Sequence, residues 1–121
     1  MATCISGTFT SSTGQALEKR LWLPEGAPKG IVQLVHGMAE HIDRYDAAAQ
    51  ALCRGGYLVV GHTHLGHGPR AAVRGYFAPA DGWDRLLDDI HLLRQETERA
   101  YPGVPYFVLG HSMGSFLVRC Y

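Results

Sequence analysis

The chain has 121 residues, one domain by the prior of about 150 residues per domain. Apolar residues make up 46% and charged residues 18%, which excludes intrinsic disorder and collagen-like repeats. Lys and Arg number 11, as do Asp and Glu, so nothing draws the chain electrostatically to nucleic acid or anionic lipid.

Residues 3–10 and 15–23 alternate loosely around Ser11-Ser12-Thr13-Gly14, the pattern of a β-hairpin. Pro24 and Pro28 bracket a loop. Residues 30–35 form an apolar run of strand length that ends at His36-Gly37. A helix is predicted next, with Asp43 as N-cap and Tyr45, Ala48, Ala49 and Leu52 on one face. Gly55-Gly56 stops it. Residues 57–60 are a second apolar run, followed by a Gly- and His-rich loop over 61–75. The longest helix begins near residues 81–83, with Trp83, Leu86, Leu87, Ile90, Leu93, Thr97 and Tyr101 on its core face. Pro102-Gly103 ends it, residues 106–109 make a third run, and a helix starts at Met113.

The order is hairpin, then β-α-β-α-β-α. Apolar strands separated by helices predict a parallel sheet buried on both faces, an α/β fold. One domain over 1–121 is expected, with the hairpin in 1–24 and the β/α units in 30–121. Residues 113–121 give about 13 Å of helix with no stop signal, and Phe116, Leu117 and Val118 have no later element to meet. The sequence therefore reads as the N-terminal part of a longer domain.

Cys4, Cys53 and Cys120 form no CxxC pair, which argues for a reducing compartment. The first ten residues lack a basic stretch followed by an apolar run, and no run approaches the about 20 residues that cross a bilayer. A cytoplasmic protein without a transmembrane segment is expected.

Gly110-His111-Ser112-Met113-Gly114 is G-x-S-x-G between a predicted strand and a predicted helix, the setting of a nucleophile elbow. The serine must sit in a tight strand-to-helix turn that presents its hydroxyl. Gly110 and Gly114 remove Cβ atoms that would collide with the neighbouring strand and helix. The Met113 N–H, at the helix N-terminus, then faces a developing oxyanion. A second donor is expected from the loop after the first parallel strand, where His36-Gly37 lets the chain turn closely and leaves the Met38 N–H free. His36 itself reads as a histidine bonded to nearby backbone.

The runs 36–41 (His-Gly-Met-Ala-Glu-His) with Arg44-Tyr45, Gly66-His67-Gly68, and 110–114 together resemble the monoacylglycerol lipase and lysophospholipase branch of the α/β-hydrolases, also described as serine aminopeptidase-like. The resemblance implies Ser112 as nucleophile and the Met38 and Met113 amides as oxyanion hole. It implies Glu40, His41, Arg44 and Tyr45 as braces of the oxyanion loop, a small lipid-like ester as substrate, and no cofactor. Thr63 and Leu65 depart from the pattern, which usually carries Asp and often Arg there. In this family the acid and base follow the serine, and residues 113–121 hold neither Asp, Glu nor His.

Two other readings compete. His62, His64 and His67 form H-x-H-x-x-H after a strand, a spacing that can share zinc, although Gly66 stands where metallo-β-lactamase-like sites carry Asp. A histidine-rich loop beside the active site, with no metal, is the preferred reading. A binding module without chemistry is the other alternative, and an intact G-x-S-x-G argues against it.

Overall fold

The computed structural model describes residues 2–69, 71 and 74–121. Strands β1 (Thr3–Thr10), β2 (Ala16–Leu23), β3 (Gly30–Val35), β4 (Tyr57–His62) and β5 (Tyr106–Gly110) form one sheet in the order β1-β2-β4-β3-β5. Helices α1 (Asp46–Arg54), α2 (Gly82–Ala100) and α3 (Met113–Cys120) complete the fold, with a 3-10 turn at Ile42–Tyr45 before α1. The hairpin is not a separate layer. Its β2 pairs antiparallel with β4, whereas β4, β3 and β5 run parallel, so the sheet is mixed.

The pleat sends alternate side chains to opposite faces. Val32 and Leu34 of β3 pack with Trp22, Ile42, Ala49, Cys53 and Val59 on the α1 face. Val35 packs with Leu86, Ile90 and Leu117 on the face of α2 and α3, beside a cluster of Ile31, Leu58, Val60 and Leu93. The chain therefore leaves β3 toward one face and β5 toward the other, so a crevice opens between the carboxyl ends of these neighbours. That is a topological switch point, where open α/β sheets hold their ligands.

Several details differ from the sequence expectation. Asp43 does not cap α1. It lies in the 3-10 turn and its carboxylate accepts from Arg20 Nε at 2.9 Å, while α1 starts three residues later. The inward face of α1 is accordingly Ala49 and Cys53, and Ala48 is exposed. Residues 61 and 62 extend β4 instead of opening the loop; residues 70, 72 and 73 of that predicted loop lie outside the described residues. Trp83 is 37% exposed, because the first turn of α2 reaches none of the buried clusters. The expectation of burial on both faces fails at β5, where Phe107 and Leu109 are each 54% exposed. Helix α1 lies over β4 and β2, and among the described residues nothing covers that face of β5. No helix among the described residues is long and apolar enough to cross a membrane.

Candidate active site

Strand β5 ends at Gly110, and the chain turns through His111 and Ser112 into α3. Ser112 adopts φ 57° and ψ −121°, a region that costs a residue with a side chain about 1–3 kcal/mol. The neighbouring backbone holds it there. A Cβ on Gly110 would lie 2.3 Å from the Gly114 carbonyl oxygen, and a Cβ on Gly114 would lie 2.0 Å from that of Val35. Both positions therefore require glycine. The His111 N–H donates to Val35 O at 3.2 Å, and Ser115 N–H donates to Ser112 O at 2.9 Å. The Ser112 side chain is exposed, and its hydroxyl has no hydrogen-bond partner among the described residues.

The loop after β3 lies against this turn. A Cβ on Gly37 would come within 3.0 Å of Ser112 Cβ, so Gly37 lies against the serine and Met38 is the next residue. Neither the Met38 nor the Met113 amide donates a hydrogen bond among the described residues. Glu40 Oε1 accepts from Gly37 N–H at 2.8 Å and from Tyr45 OH at 2.7 Å, with His111 Nδ1 at 3.5 Å. Burial alone would raise the Glu40 pKa, but the bonds from Tyr45 and Gly37 hold it below the usual value. Burial and the bond to Glu40 push the Tyr45 hydroxyl up to about 12.

The other expected braces behave differently. Arg44 is exposed and makes no ion pair among the described residues. His41 contributes its carbonyl, which accepts from Arg44 N–H at 3.2 Å. Thr63 offers an unforeseen connection, since its Oγ1 accepts from Ile42 N–H at 3.1 Å. A hydroxyl thus ties the loop after β3 to the end of β4.

His36 is fully buried. Its Nδ1 lies 2.7 Å from Gly37 O, and its Nε2 accepts from His64 N–H at 3.0 Å. Burial pushes its pKa down to about 4, so the ring is neutral at pH 7. His62, His64 and His67 do not converge on a point. The His62 and His64 ring centroids are 5.0 Å apart, and those of His64 and His67 are 6.2 Å apart. His64 Nε2 faces His36 O and His67 Nδ1 faces Leu65 O, while His62 packs edge-on against Phe9. Among the described residues no group of three ligands is arranged for a metal ion.

Beside the site a cavity of about 590 Å³ opens between the loop after β3 and the loop after β4, lined by Met38, His41, His67 and Arg74 among others. No sequence pattern announces it, because its walls come from loops about 30 residues apart.

Residues 26–121 match the family described as serine aminopeptidase, S33. The chain is 40% identical over 107 residues to monoglyceride lipase of Rattus norvegicus, an alignment that spans 88% of this chain and 34% of that protein. A thermostable carboxyl esterase from Bacillus coagulans, solved in complex with glycerol, matches with TM-score 0.88 and 34% identity over 100% of this chain and 40% of its own. A lipase in open form matches with TM-score 0.89 and 30% identity, over 97% of this chain and 39% of its own. The chain spans about a third of the length of the curated relatives it matches.

Proposed function

The chain belongs to the serine aminopeptidase S33 family of α/β-hydrolases, and from that premise we propose that it carries the nucleophile and oxyanion hole of a carboxylic-ester hydrolase. The observation that carries this reading is Ser112, held at positive φ between two obligatory glycines, with two unpaired amides beside it. Strain of this kind persists only where the surroundings impose it, and a binding module has no use for it.

In the proposed reaction Ser112 Oγ attacks the ester carbonyl carbon, and its proton passes to a histidine. The Met38 and Met113 N–H groups stabilise the oxyanion, whose collapse expels the alcohol with the proton returned. Water, deprotonated by the same histidine, then attacks the acyl-enzyme and releases the acid. The reaction needs no cofactor. None of the seven histidines bonds to Ser112 Oγ, so the proposal assigns the base to a residue outside 1–121. Lipid-like monoesters are the proposed substrates, because the relatives include monoglyceride lipases.

A fluorophosphonate probe should label Ser112 in the protein together with its base, and Ser112→Ala should abolish labelling. Persistent labelling of the variant sinks the assignment. The 121 residues alone should hydrolyse p-nitrophenyl butyrate no faster than their own Ser112→Ala variant.

A further inference from the structure

The two peptide units that follow β3 carry four polar groups, and three of them are held by side chains. The His36 carbonyl faces His64 Nε2 at 3.1 Å, the Gly37 N–H donates to Glu40 Oε1 at 2.8 Å, and the Gly37 carbonyl lies 2.7 Å from His36 Nδ1. The fourth is the Met38 N–H, which has no acceptor among the described residues.

The proton positions on His36 follow from its partners. A backbone N–H can only donate, so the His64 N–H, 3.0 Å from His36 Nε2, requires a lone pair there. The neutral imidazole then carries its proton on Nδ1, and Nδ1–H donates to Gly37 O. By the same logic His64 Nε2–H donates to the His36 carbonyl. Residues 36 and 64 thus form a reciprocal clasp between the ends of β3 and β4, buried from solvent.

We infer that His36 is a positioning residue of the oxyanion hole, which sets the direction of the Met38 N–H by holding the carbonyl at the other end of the same peptide plane. The peptide unit is planar and trans, and no cis bond occurs among the described residues. Fixing the Gly37 carbonyl therefore aims the Met38 N–H the opposite way. The Glu40 N–H also reaches Gly37 O, but at 3.4 Å, too long to hold the plane by itself. His36 touches no substrate; its importance for turnover rests on the Ser112 chemistry proposed above.

The test pairs His36→Asn with His36→Gln. The Asn amide sits near the Nδ1 position and still donates to Gly37 O. The Gln amide reaches the Nε2 position, keeps the bond from His64 N–H, and leaves Gly37 O without that donor. In ¹⁵N-labelled protein the Met38 amide resonance should stay near its wild-type position in His36→Asn and move in His36→Gln. Phosphonylation of Ser112 by a fluorophosphonate, which displaces fluoride, should slow by no more than about tenfold for Asn and by about 10²-fold for Gln, the size of one lost oxyanion donor. Imidazole ¹⁵N spectra of the unmodified protein should show the proton on His36 Nδ1. The opposite tautomer, or equal Met38 positions in the two variants, overturns the inference. If Ser112→Ala labels as fast as the wild type, the hydrolase reading fails, while the tautomer and the Met38 amide still decide the role of His36.

Discussion

Leu34 and Leu109 are register partners on adjacent parallel strands, yet Leu34 is 1% exposed and Leu109 is 54% exposed. Both belong to the α1 side of the sheet. Strand β3 is interior, between β4 and β5, buried at all six positions and covered there by Ile42 and α1. Among the described residues strand β5 is the edge of the sheet, and α1 packs mainly over β4 and β2. The same asymmetry continues past the strand ends. His36, the residue after β3, is fully buried, whereas His111, the residue after β5, is exposed. The candidate site sits where these two neighbours meet. The strained residue lies in the turn after the loosely covered strand, and the groups that hold it come from the end of the tightly packed one.

If β3 holds the elbow, the largest effect should come from forcing the two apart. Gly114→Val places a branched side chain where a Cβ would already be 2.0 Å from the Val35 carbonyl oxygen. The chain should lose more than about 4 kcal/mol of stability, and Ser112 should no longer react with a fluorophosphonate. Thermal melting checks the first, and probe labelling of the protein together with its base checks the second. A stable, labelled variant would break the picture of an elbow clamped by β3.

Leu34→Ala tests the buried half of the pair and should destabilise the 121-residue chain by about 2–5 kcal/mol, read from denaturant melts.

The ends of the strands can be separated by pH. Burial lowers the His36 pKa from 6.5 to about 4. Between those values the unfolded chain binds a proton that the native chain does not. Stability from this group is therefore complete above pH 6.5 and is lost as pH falls toward 4, a loss of about 3 kcal/mol. Melts at pH 7 and pH 4 should show that His36→Asn removes this share of the acid sensitivity. An unchanged pH dependence in His36→Asn contradicts the burial argument.

The smallest effect is expected at Leu109, over half exposed. Leu109→Ala should change the stability of the 121-residue chain by no more than about 0.5 kcal/mol. A loss comparable to that of Leu34→Ala would mean that this face of β5 is covered in solution.

The places where sequence reading succeeded and failed follow the range of the forces involved. The strand runs 30–35 and 106–109, the glycine stops and the G-x-S-x-G turn are local statements about backbone and periodicity, and they located the elements to within a residue or two. The requirement for glycine at 110 and 114 was equally legible, because two elements meeting at a serine leave no room for Cβ. Asp43 failed as a cap because an arginine 23 residues away, on β2, takes its carboxylate.

By itself the sequence determined the order of elements, the family, and which residue stands at the turn between β5 and α3, since each depends on neighbours along the chain. Only the tertiary structure decided that β2 joins β4, that the ends of β3 and β5 form the crevice, and that Thr63 bonds the Ile42 N–H at the end of β4. It also decided that His36 and His64 clasp each other across the carboxyl ends of β3 and β4. These contacts join residues 20 to more than 70 positions apart, and their partners are chosen by how the helices distribute over the two faces of the sheet. Hydrophobic periodicity reports that a face is buried; it carries no information about which strand lies beside it or which donor waits across the gap.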